Sequence, residues 1–130
     1  MLQALLLVRN LRLSIVAIIA CFSFPFAATD AHAHARLVKS TPAAGAAVPS
    51  PSEIRLEFSE GVEPRFSGIT LTGANGATAP LGSAAAEGSD KTMLVVPVVK
   101  PLAQGVYKAL WHAVSVDTHR TQGTFEFTVK

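Results

Sequence analysis

The sequence predicts an all-β domain, an antiparallel sandwich or barrel, lying downstream of an export signal. Three observations carry this. Beyond residue 34 the apolar residues recur with a period of two. Turn-forming residues separate these runs at short intervals. No segment beyond residue 34 shows the 3.6-residue period of an amphipathic helix, and many short strands with regular turns are the pattern of a sandwich or barrel.

The strands follow in order. In Glu53-Ile54-Arg55-Leu56-Glu57-Phe58, charged and apolar residues alternate strictly, as in a strand with one buried face. Ile69 and Leu71 alternate with Thr70 and Thr72 in the same way. Residues 92–99 are β-rich and more continuously apolar, and Pro97 predicts that this strand lies at an edge or ends early. Residues 105–116 read as one long strand with Tyr107, Ala109, Trp111 and Ala113 on one face. Residues 124–129 alternate again and place Phe125, Phe127 and Val129 inward. Turns are predicted at Thr41-Pro42-Ala43-Ala44-Gly45, Pro49-Ser50-Pro51, Asn75-Gly76, and Pro101 with Gly105. The Ala/Gly/Ser-rich stretch 73–90 carries no clear periodicity.

The first 33 residues have the layout of a secretory signal peptide. Arg9 and Arg12 are its positive start, and Leu13 to Ala20 is apolar apart from Ser14. Phe22, Phe24 and Phe26 extend the run, but Pro25 interrupts it short of the roughly 20 apolar residues of a membrane span. Ala31-His32-Ala33 has small residues where signal peptidase requires them, so residues 1–33 are predicted to be removed, leaving 34–130 with His34 first. A cut after Ala31 would expose His32 instead. Ile18-Ile19-Ala20-Cys21 also resembles a lipoprotein box, in which Cys21 is lipidated and becomes the first residue.

What remains after a cut at His34 is one domain with a core large enough to fold unaided. Cys21 is the only cysteine and leaves with the signal, so neither a disulfide nor a thiolate ligand is expected. Removing Arg9, Arg12 and Asp30 from eleven basic and nine acidic residues leaves nine and eight. That balance excludes the basic footprint of a nucleic-acid-binding protein.

The chemistry-bearing residues are few. A histidine at the start of a chain offers a free α-amine and an imidazole Nδ1, which close a chelate ring on a metal. The amine, with an ordinary pKa of about 7.7–8.0, loses its proton readily to a competing metal near neutral pH. In Asp117-Thr118-His119, extended backbone would point residues 117 and 119 to the same side. Together His34, Asp117 and His119 offer three nitrogens and one oxygen, a donor set that suits Cu(II). Zn(II) accepts the same donors but stands below copper in intrinsic affinity. The only methionines are Met1 and Met93, so no soft Cu(I) site is expected. An Asp-x-His motif alone is usually a solvated loop; the terminal histidine is what raises its meaning. His112 is predicted to lie on the face opposite Trp111, half exposed and not a ligand. On pattern alone Glu60 is an exposed loop carboxylate and Trp111 a core anchor.

These residues resemble the CopC family of bacterial periplasmic copper-binding proteins over the whole exported part. His34-Ala35-Arg36-Leu37-Val38-Lys39-Ser40-Thr41-Pro42 is similar to its N-terminal histidine and L-x-x-S-x-P run. Leu56-Glu57-Phe58-Ser59-Glu60 resembles its L-x-F-S-E segment, and Leu102 with Gly105-Val106-Tyr107 its P-L-x-x-G-x-Y stretch. Trp111, Ser115, Asp117, His119, Gly123, Phe127 and Val129 stand at the positions of its W-x-x-x-S-x-D-x-H-x-x-x-G-x-x-x-F-x-V block. The resemblance implies a seven-stranded Greek-key barrel or sandwich of cupredoxin or immunoglobulin-like type. It implies one Cu(II) held by the amine and Nδ1 of His34, by Asp117 and by His119, with Glu60 behind the ligands to orient them. It further implies a monomeric periplasmic carrier or buffer of copper, not an enzyme, working beside a CopD-like inner-membrane copper transporter. Residues 71–80 contain no methionine where some members have a Met-rich Cu(I) loop.

Two other function classes fit parts of the pattern. Copper oxidases and monooxygenases also use an N-terminal histidine, but Asp117 would fill a position that an oxygen-activating site leaves open, and the short loops offer no aromatic platform for a polysaccharide. A sandwich serving only adhesion or partner binding would make no use of its histidines.

Overall fold

The computed structural model describes residues 34–130. The proposed signal segment 1–33, with His32 and Cys21, lies outside the described residues. Eight strands and a single 3-10 turn at Pro64–Phe66 make up the described elements: β1 (Leu37–Thr41), β2 (Ala47–Val48), β3 (Glu53–Phe58), β4 (Gly68–Gly73), β5 (Ala85–Glu87), β6 (Asp90–Pro97), β7 (Gly105–Val114) and β8 (Arg120–Val129). They form two four-stranded sheets, ordered β1-β3-β6-β5 and β2-β8-β7-β4. The chain passes from sheet to sheet after β1, β2, β3, β4 and β6, which is how short strands with one apolar face each reach a common core. The sandwich expected from the sequence is present. Its geometry counts eight strands where the family resemblance implied seven, and β2 has only two residues.

The period-two pattern sets the register. Ile54, Leu56 and Phe58 of β3 are buried, as are Tyr107, Ala109, Trp111 and Ala113 of β7 and Phe125, Phe127 and Val129 of β8. Leu71, Leu94 and Val96 complete the inner faces of β4 and β6. Each large apolar side chain so removed from water contributes about 1.5–3 kcal/mol, and with no cysteine among these residues this burial is the principal source of cohesion. The β7–β8 pair runs from Gly105↔Val129 to Val114↔Arg120 without a break.

Of the two alternatives expected of the strand containing Pro97, an edge position or an early end, the second holds: β6 lies between β3 and β5. It does end at Pro97, so the missing N–H costs no ladder bond, and the Pro97 carbonyl accepts from the Gly82 N–H at 2.8 Å. The strand predicted over residues 105–116 ends at Val114, and β8 starts at Arg120 rather than Thr124. The polar start of β8, Arg120-Thr121-Gln122, has no apolar alternation to report its strand character; it is held by its pairing with Val114, Ala113 and His112 of β7. Three strands without a clear apolar alternation, β1, β2 and β5, were not anticipated. They are edges, held by their neighbours' hydrogen bonds.

One close approach shapes the core next to the functional end. Gly123 pairs with Trp111, whose indole lies across it and meets the Phe58 ring edge-on at 5.5 Å. A Cβ at position 123 would stand 2.7 Å from the indole. Gly123→Ala is therefore expected to lower stability by about 1–3 kcal/mol through overpacking, although alanine is the less flexible residue. Denaturant unfolding checks this; an unchanged or raised midpoint would mean that the indole has room to move.

Candidate metal centre

One end of the sandwich gathers the start of β1, the end of β3, the end of β7 and the start of β8. The arm His34-Ala35-Arg36 enters here and is fastened to both sheets. The Arg36 N–H donates to Ser59 Oγ at 3.0 Å, and the Ser59 N–H donates back to the Arg36 carbonyl at 2.9 Å. The Thr121 hydroxyl donates to the Ala35 carbonyl at 2.7 Å. Ala35 itself is completely buried. With its neighbour fixed, His34 projects beside His119, the two rings meeting edge-on with centroids 4.8 Å apart.

Asp117 and His119 do converge, but not by strand alternation. Residues 116–118 form a turn between β7 and β8, and Thr118 has φ = 75°. The Thr118 N–H donates to the Ser115 carbonyl at 2.9 Å, and the Ser115 N–H donates to the His119 carbonyl at 2.9 Å. Inside this loop Asp117 Oδ1 accepts the Ser115 hydroxyl and lies 3.4 Å from the His119 N–H. Asp117 Oδ2 is 3.1 Å from His119 Nδ1. The Asp117 carboxyl is held below the usual carboxylate range, chiefly by the Ser115 hydroxyl, against a partial loss of solvation and with help from His119. An anionic carboxylate beside an imidazole is the state a cation requires. Both side chains stay open to solvent, at 38% for Asp117 and 53% for His119, so an ion can reach them.

Glu60 sits between two of these connections: Ser59 pairs with Arg36, and the Gly61 carbonyl accepts from the Val116 N–H at 3.1 Å. It is less exposed than the pattern suggested. Its Oε1 is buried with no hydrogen-bond partner, and a buried carboxylate oxygen needs a donor or a cation. His112 lies apart, on the outer face of β7 against Gly68. Loss of solvation there, with the charge of Arg120, pushes its pKa down.

The structure thus brings His34, Asp117 and His119 to one end with Glu60 nearby and leaves His112 elsewhere. Among the described residues no three His, Cys, Asp or Glu side chains form a ready-made ligand cluster. His119 is the shared member of two close pairs, and a common focus needs the exposed rings of His34 and His119 to turn. The sequence reading gave no role to Ser115, Thr118 or Thr121. Ser115 was legible: it continues the inward row Tyr107, Ala109, Trp111, Ala113, and a hydroxyl on a buried face must find a partner.

A small β-sandwich with two histidines and a carboxylate paired at one end is the class this geometry defines. The CopC domain model matches residues 37–130. Copper resistance protein C of Escherichia coli is 42% identical over 110 residues, spanning 79% of this chain and 86% of that protein. The crystal structure of PcoC, a methionine-rich copper resistance protein from Escherichia coli, superposes with a TM-score of 0.64 at 40% identity, covering 75% of this chain and all of that one. The crystal structure of CopC from Methylosinus trichosporium OB3b gives 0.69 at 31% identity, covering 75% and 94%. The chain belongs to the CopC family.

The turn geometry generates a prediction. A β-branched residue at positive φ is strained by about 1–2 kcal/mol, and asparagine tolerates that region better. Thr118→Asn is expected to raise the metal-free melting midpoint. Thr118→Pro, which fixes φ near −65° and removes the N–H bonded to Ser115, is expected to lower it. Thermal unfolding followed by circular dichroism checks both; the reverse order would contradict the left-handed turn.

Proposed function

We propose that this protein is a periplasmic carrier or buffer of copper in resistance or homeostasis, binding one Cu(II) per chain. The observation that carries the proposal is the meeting of His34 with His119 beside the Asp117 carboxylate. The ligands are the α-amine and imidazole Nδ1 of His34, Asp117 and His119, and Glu60 stands behind them. The family membership and the copper resistance names of the relatives support the copper reading.

The amine ligand requires processing. In the full-length chain the His34 nitrogen is a peptide nitrogen joined to Ala33, and only a cut between the two frees it. Signal cleavage after residue 33 is therefore the step that completes the site, and it places the protein outside the cytoplasm. Hard and borderline donors favour Cu(II). Met93 is the only methionine of residues 34–130, so the protein lacks the thioether cluster that would hold Cu(I). Asp117 on the His119 side crowds the position that an oxygen-activating centre leaves open, which favours carriage over catalysis. The protein acts as a monomer and exchanges copper with a CopD-like inner-membrane transporter.

Titration of protein beginning at His34, with chelators competing for each oxidation state, is expected to find one tight Cu(II) and negligible Cu(I) binding. His119→Ala is expected to weaken Cu(II) more than Asp117→Ala, since water replaces a carboxylate more easily than an imidazole. His112→Ala is expected to change nothing. His119→Ala and His112→Ala keep the metal-free fold within about 1 kcal/mol, because these rings bury little apolar area; Asp117→Ala costs about 1–3 kcal/mol, because it takes the acceptor from the buried Ser115 hydroxyl. Tight Cu(I) binding, or loss of copper in His112→Ala but not in His119→Ala, would overturn the reading.

A further inference from the structure

Ser115 is completely buried, yet it carries a hydroxyl. Its backbone is fixed on both sides, by the bridge to Val62 and by the bonds exchanged with Thr118 and His119. The hydroxyl has one proton to give. Asp117 Oδ1 accepts it, and the nearest alternative acceptor is the His119 carbonyl at 3.2 Å. A donor this enclosed cannot turn to water, so the carboxylate it holds has one preferred orientation.

We propose that Ser115 is a positioning residue for the metal site: its buried hydroxyl holds the Asp117 carboxylate against Nδ1 of His119. This rests on the ligand assignment made above and deepens it. With Oδ1 taken by Ser115, Oδ2 is the oxygen that faces His119 at 3.1 Å and the one offered to an arriving ion. The order of the chain supports the assignment. Ser115 follows directly on β7 and continues its inward row, so the rigidity of the core passes through one side chain to a pair otherwise open to solvent.

The test is a double-mutant cycle on protein starting at His34. Ser115→Ala removes the hydroxyl without adding volume. It is expected to weaken Cu(II) about 10–100-fold, the usual effect of losing a group that orients a ligand, and to shift the copper hyperfine coupling in the electron paramagnetic resonance spectrum. In the Asp117→Ala background the same substitution is expected to do nothing, because Ser115 acts through Asp117. Ser115→Thr keeps the hydroxyl and Ser115→Val replaces it at nearly the same volume; threonine is expected to retain more Cu(II) affinity than valine, and this comparison decides the matter if the alanine variant does not fold. Unchanged affinity and spectrum in Ser115→Ala, or equal losses in both backgrounds, would overturn the proposal while leaving Asp117 as a ligand. No effect of Asp117→Ala alone would overturn the ligand assignment and this proposal together.

Discussion

The fastening of Ala35 is the constraint on which the functional end depends. Its carbonyl takes the Thr121 hydroxyl from the start of β8, and the next residue exchanges two hydrogen bonds with Ser59 at the end of β3. An arm leading into a domain is ordinarily poorly ordered unless contacts tie it down. Here the arm is tied to both sheets at once, and the Ala35 methyl fills a completely enclosed position that admits nothing larger without displacement. His34 is thereby one residue from a fixed point. Its ring comes to rest beside His119, a residue 85 positions away in sequence.

The other half of the site is built by the opposite means. Asp117 and His119 sit on a turn with no core of its own, and their arrangement comes from hydrogen bonds: the backbone pair between Ser115 and His119, the Thr118 bond that closes the turn, and the hydroxyl under Asp117. The strained φ of Thr118 belongs to this arrangement, since a relaxed extended strand would carry residues 117 and 119 past the end of β7. Burial fixes the segment that carries His34, and polar bonding fixes the turn that carries Asp117 and His119. The core beneath, with Trp111 laid over Gly123, holds the two in register.

Much of this could be read from residues alone, and the reason is the pleat. Where a strand has one wet and one dry face, as in β3, β7 and the second half of β8, alternation reports it directly. Where a strand is short and at an edge, as in β1, β2 and β5, its position is decided by a neighbour's hydrogen bonds, which leave no mark in composition. The site shows the same division. His34, Asp117 and His119 stood out in the sequence as candidate donors, and the structure brings them to one end of the sandwich; Ser115 was implied by the inward row of β7. The left-handed turn at Thr118 was not legible, since nothing in a threonine announces a positive φ. Glu60 reads as an exposed loop carboxylate in isolation; only the pairing of its two neighbours with the arm and with Val116 places one of its oxygens inside.

The central claim is that the site is completed by a covalent event, the freeing of the His34 amine. The most direct measurement compares the Cu(II) affinity of protein beginning at His34 with that of protein carrying one extra glycine before it. The extra residue leaves the imidazole, Asp117, His119 and the fold in place but moves the amine off the chelate ring. The account predicts that affinity falls by orders of magnitude without vanishing, because the remaining donors still bind. Equal affinity in the two forms would contradict it and remove the amine from the ligand set.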